Sequence, residues 1–134
     1  MKLLDTTFLI HYWAGKDAAK EYLDKYEDTE EFVTTTINIK EIAVGRELQG
    51  QFDRREICSK FNWVRIVPFE TEHSFLAGQL EATLRAETEI NQDKINALSG
   101  DILIAAVAQD VNAPVVTRNV NGFELFENVS VETY

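Results

Sequence analysis

The sequence predicts one α/β domain over residues 1–134, with a largely parallel central sheet flanked by helices. Three observations predict it. Short apolar or β-branched runs alternate with longer stretches of helical period, the pattern of strands laid side by side with helices crossing between them. Only six glycines and two prolines interrupt the chain, so its connections are short. At 134 residues there is room for one core and no more.

Lys2-Leu3-Leu4 is a short apolar run into Asp5, which predicts a buried strand with a carboxylate at its C-terminal tip. Phe8 to Ala14 reads as a helix, and Gly15 separates it from an amphipathic helix over Asp17 to Tyr26. Glu31 to Thr35 is β-branched and predicts a second strand. Asn38, with Glu41 three residues on, predicts an N-cap opening a helix to about Leu48, ended by Gly50. Phe52 to Phe61 predicts another helix, Trp63 to Val67 a strand closed by Pro68, and Thr71 to about Ile90 the longest helix. Ser99-Gly100-Asp101 opens a helix that is apolar on nearly every side, hence the central buried one. Pro114 to Thr117 and Val129 to Val131 supply the last strands.

No stretch is long and apolar enough to span a membrane, and no signal peptide is evident. The lone Cys58 cannot form an internal disulfide, which points to a cytoplasmic home and a half-buried helix thiol. The net charge of −10 runs against nucleic-acid binding, which draws on Lys and Arg. Three readings compete: no nucleic acid is bound, one groove is locally basic, or the acidic surface belongs to a cell with high internal salt. The charge is uneven. Residues 40–65 hold six basic and four acidic residues, a net +2 that leaves −12 elsewhere.

In a parallel sheet, ligands bind outside the carboxyl ends of the strands. Asp5 ends the first strand, Glu41 sits in the first turn of the helix after the second, Asp101 starts the buried helix, and Asn119 follows the fourth strand. Carboxylates gathered there repel one another unless a cation neutralises them, and an oxygen-only set suits Mg²⁺ or Mn²⁺. Each residue also has a local explanation: Asp5 as a helix cap, Glu41 as the partner of Asn38, Asp101 as a complement to its helix dipole. His11 and His73 lack ligand spacing, and Trp13, Tyr22 and Tyr26 suit a core or an interface.

Four segments together carry a family resemblance. Met1 to Ile10 (MKLLDTTFLI) resembles the opening of PIN domains, and Thr36 to Ile42 (TINIKEI) resembles their second acidic motif. Asp101 to Ala106 (DILIAA) resembles the third, and Val116 to Val120 (VTRNV) with Phe123 the fourth. They fall in the family's order across almost the whole chain. The resemblance implies a PIN-like fold and an endoribonuclease of the VapC toxin type, dependent on Mg²⁺ or Mn²⁺ and cutting RNA with water as nucleophile. It makes Asp5, Glu41, Asp101 and Asn119 the catalytic set, with Asp5 and Asp101 as metal ligands and Glu41 as a ligand or a positioner of water. Thr6 and Thr117 supply supporting hydroxyls, and Arg118, Arg46, Arg54 and Arg55 are candidate RNA contacts. A cognate antitoxin and a homodimer are implied in the same way. Two positions depart from the pattern: Asn119 stands where many relatives carry an acid, and Gly122 where an Asp is common. These leave open one metal or two. With the negative charge they also keep open a catalytically silent PIN module, and RNA-processing PIN nucleases outside any toxin pair share these motifs. A phospho-accepting receiver domain is disfavoured, because Asp5 lacks an adjacent acid and Arg118 stands where a Lys is wanted.

Overall fold

A computed structural model describes residues 1–134. The elements run β1 (Lys2–Leu4), α1 (Thr6–Trp13), α2 (Asp17–Tyr26), β2 (Phe32–Thr35), α3 (Thr36–Leu48), α4 (Arg54–Lys60) and β3 (Arg65–Val67). They continue with α5 (Thr71–Ala86), α6 (Gln92–Ala97), α7 (Ser99–Val111), β4 (Val115–Val116), α8 (Val120–Phe123) and β5 (Val131–Glu132). All neighbouring strands are parallel, in the order β3-β2-β1-β4-β5. The predicted α/β class therefore holds, and the sheet is wholly rather than largely parallel.

Alternation along the strands builds a core on each face of the sheet. Leu3 of β1 and Val115 of β4 enter one cluster with residues of α5 to α8. Leu4 and Val116, one residue on, enter the other with Phe8, Leu9, Tyr22, Ile42 and Ile57 from α1 to α4. Three layers result, and α7 packs along α5 on the first face. Its buried Ala105, Ala106 and Ala108 let the helices approach closely, and Asn112, left-handed at φ 53°, ends it. No helix is long and apolar enough to cross a membrane.

Several expectations shift. The cap of α3 is Thr35, not Asn38: the Thr35 hydroxyl accepts from the Asn38 amide, and the Asn38 side chain returns to the Thr35 backbone. A residue three places later can stand in for a cap because both positions favour the same small polar types. Glu41 therefore lies in the second turn of α3, free of any capping role. The long helix stops at Ala86, and Asn91 caps a separate short helix, α6, that the polar sequence around it hides. Cys58 is exposed rather than half-buried.

Candidate carboxylate site at the sheet's switch point

The strand order reverses at β1, with β2 on one side and β4 on the other, and there the carboxyl ends of an α/β sheet open a crevice. Asp5 leaves β1 at that point, its backbone N–H still bonded to the Val116 carbonyl of β4 at 3.0 Å. It occupies the N-cap position of α1 yet makes no side-chain capping bond, so its carboxylate turns to other partners. Thr117, fully buried after β4, donates its hydroxyl to Asp5 Oδ2 at 2.7 Å. The buried Asn38 amide donates to Asp5 Oδ1 at 3.2 Å and to Thr6 Oγ1 at 3.0 Å. Thr6 in turn donates to Glu41 Oε1 at 2.5 Å. One chain of hydrogen bonds thus fixes two of the acids to the strand ends.

Glu41 lies against the first turn of α7: a Cβ on Gly100 would come within 3.0 Å of its Oε2. That approach brings Glu41 beside Asp101, which sits in the same turn. Asp101 Oδ2 accepts from the Asn119 amide at 2.9 Å. Room for that amide exists because residue 122 is glycine; a Cβ there would stand 2.7 Å from Asn119 Nδ2. Asn119 itself heads α8, with its backbone N–H bonded to Thr117 Oγ1 at 2.9 Å. The structure therefore gathers Asp5, Glu41, Asp101, Asn119, Thr6 and Thr117 at one edge.

Two of the acids have their pKa raised by their surroundings. Burial is the main cause that raises the Asp5 pKa above 3.8; the Thr117 hydrogen bond opposes it, and the charge of Glu41 adds to it. Burial, then the charges of Asp5 and Glu41, push Asp101 up to about 6, against the Asn119 hydrogen bond. Their oxygens do not converge on one point: no three His, Cys, Asp or Glu side chains are gathered closely enough to hold a metal ion as they stand. The fit to a hard divalent cation lies in donor type and in uncompensated negative charge.

The arginines divide. Arg118, exposed, lies in sequence between Thr117 and Asn119, the hydrogen-bond donors to Asp5 and Asp101. Arg46 lies over the Trp13 ring at 4.4 Å, pairs with Glu56 at 3.0 Å and shares with Glu41 the lining of a cavity of about 280 Å³. Arg54 and Arg55 open α4 behind the Asp53 cap, outside the hydrogen-bonded set that links the acids. Asn38, Thr7 and Tyr134 join the site without having been expected. Thr7 Oγ1 accepts from the Arg118 backbone at 3.3 Å, and the Tyr134 ring lies under the Arg118 guanidinium. Asn38 stood in the second motif and read as a cap; Tyr134 carries no local signal. His73 is buried between the Glu70 backbone and Asp110, a structural placement.

Known proteins share this fold. The chain is similar over 99% of its length to VapBC2 from Rickettsia felis, solved bound to a promoter DNA fragment, with TM-score 0.79, 21% identity and 98% of that chain covered. DNA-bound VapBC from Salmonella typhimurium gives TM-score 0.77 and 21% identity over 99% of this chain and 98% of that one. FitAcB from Neisseria gonorrhoeae gives 0.75 and 18% over 98% and 97%. No curated protein matches the sequence. The model of the PIN domain family matches residues 2–129, nearly the whole chain, and the protein belongs to that family.

Proposed function

We propose that the protein is a divalent-metal-dependent endoribonuclease acting as the toxin of a toxin–antitoxin pair, with residues 1–134 working as one domain. The observation that carries the proposal is the set of acids from three separate elements at the switch point, each held by a neutral donor rather than by a cation. An ordinary structural carboxylate is neutralised by Lys or Arg; here burial and mutual repulsion raise two of the three. Mg²⁺ or Mn²⁺, when bound, supplies Lewis-acid charge that offsets the charge developing on a phosphate and acidifies water. The chain's own residues hold and orient. Asp5 and Asp101 serve as ligands, kept in place by Thr117 with Asn38 and by Asn119. Glu41 joins them or holds the attacking water, with Thr6 setting its rotamer. Arg118 meets the RNA backbone, and Arg46 lies close enough to Glu41 to assist.

The antitoxin partner is supported by the likeness in fold to a toxin–antitoxin complex from Klebsiella pneumoniae and to the VapBC structures. An exposed apolar strip also favours a protein partner: Val44, Leu48 and Phe52 are 45%, 83% and 48% exposed along and just beyond α3. Phe75, 63% exposed on α5, is a separate apolar surface that a second copy would cover in a homodimer. A cytoplasmic location follows from the same functional assignment.

A catalytically silent PIN module is the second reading, favoured by the amide at 119 and by carboxylates that do not converge unaided. One experiment separates them. A mixed pool of labelled RNAs is incubated with wild type or Asp101→Asn, with Mn²⁺, Mg²⁺ or EDTA, at low and molar salt. Metal-dependent cutting lost in the variant is the expected result. No cutting by a folded wild type under any condition would leave the silent module. An antitoxin-independent nuclease from RNA processing would cut equally well but leave the α3 strip without a tight-binding partner. Receiver chemistry is set aside by the family match.

A further inference from the structure

Of the 13 Lys and Arg on a chain with 23 acids, four pair with a carboxylate. Lys2 pairs with Glu132 at 2.6 Å, Arg46 with Glu56 at 3.0 Å, Arg65 with Glu31 at 2.6 Å and Arg85 with Glu81 at 3.0 Å. Arg118 pairs with none, although it follows directly on Thr117, the donor to Asp5. It is nonetheless held in place. Its guanidinium lies 4.3 Å from the centroid of the Tyr134 ring, and its backbone N–H is tied to Thr7. Tyr134 is fixed in turn: its ring packs edge-on against the buried Phe8 at 4.8 Å, and its hydroxyl bonds His11 Nδ1 at 2.6 Å.

An arginine free in charge but restrained in position has one physical use. Its planar fork matches a phosphate with two parallel hydrogen bonds, and a guanidinium laid on an aromatic face gives up less conformational freedom when it binds. We infer that Arg118, mounted on Tyr134, is the contact for a phosphodiester of single-stranded RNA next to the one being cut, and that Tyr134 is its positioning residue. The inference rests on the ribonuclease proposal and gives that site a backbone-reading neighbour. It also answers the charge problem: the strand needs one fixed, unneutralised cation beside the acids rather than a basic surface.

The test measures the Kd of a short fluorescein-labelled single-stranded RNA for the full-length Asp101→Asn protein in Mn²⁺ across a NaCl series. Arg118→Gln is expected to weaken binding by about tenfold and to flatten the slope of log affinity against log salt by about 0.7, the signature of one lost phosphate contact on a single strand. Tyr134→Phe keeps the ring and is expected to bind like the parent. Tyr134→Leu is expected to bind several-fold more weakly, with thermal unfolding confirming its fold. Arg118 is exposed, so its variant folds irrespective of Tyr134. An unchanged salt slope in Arg118→Gln overturns the inference while leaving the ribonuclease intact. Equal binding by folded Tyr134→Leu and Tyr134→Phe removes the positioning role. Absence of RNA binding by the parent overturns this inference, while wild-type cleavage of the RNA pool decides the ribonuclease proposal separately.

Discussion

Asp101 carries a stability cost of its own. Its folded pKa of about 6 stands above the ordinary 3.8, so the folded state holds the proton more tightly than the unfolded chain does. Stability therefore falls as pH rises from about 4 through about 6 and stays lower above that window. Asp101→Asn removes the penalty. In the metal-free protein at pH 7 the variant is expected to be more stable by roughly 1 kcal/mol, once screening of this part-exposed group is allowed for. Its pH–stability profile should also lose the part of the slope between about pH 4 and 6 that Asp101 contributes. Urea unfolding at several pH values checks both; identical slopes in the two proteins would remove Asp101 from the coupled set. Gly122 offers the converse case. Its φ is not left-handed, so alanine meets only the tip of Asn119, a flexible side chain that can swing aside. Gly122→Ala is expected to leave thermal stability within about 0.5 kcal/mol while lowering the cleavage rate several-fold, because Asp101 loses its donor.

At the scale of elements, α5 is held at its start by an interaction that no local pattern betrays. His73 Nδ1 accepts from the Glu70 backbone N–H at 2.9 Å, which places the ring proton on Nε2, facing Asp110 Oδ2 of α7 at 2.9 Å. One buried ring thus caps α5 and pins it to the central helix. His73→Leu is expected to cost about 2 kcal/mol by denaturant unfolding, and Asp110→Asn much less, since its amide oxygen still accepts. The contrast shows what the sequence could carry. The bounds of α2, the start of α7, the sheet class and the three acids were legible because period, apolar runs and a carboxylate at a strand tip are local signals. The cap of α3 was misplaced because Thr35 and Asn38 are both good capping residues, and α6 was hidden because Ile95 is the one buried residue in a polar helix. Tyr134 and Asn38 entered the site through contacts with Phe8, Arg118 and Asp5, partners far away in sequence. Such contacts leave no trace in a window of neighbouring residues.

For the whole molecule the question is whether the carboxylate edge differs from the rest of a surface carrying a net −10. Self-repulsion acts throughout: shortening the Debye length from about 10 Å at 0.1 M to about 3 Å at 1 M salt should raise the melting temperature of the protein and of any surface-charge variant alike. A divalent ion, if the proposed site binds one, would act differently, because it would stabilise by binding the folded state alone, by about 2.7 kcal/mol at a hundredfold excess over its Kd. Melting in Mn²⁺ against NaCl matched in ionic strength separates the two. Wild type should gain several degrees beyond the matched salt, and both Asp5→Asn and Asp101→Asn should lose that excess while keeping the general salt response. If matched NaCl reproduces the whole shift, the three acids are no more than part of an acidic surface, and their gathering at the switch point would need a cause other than a cation.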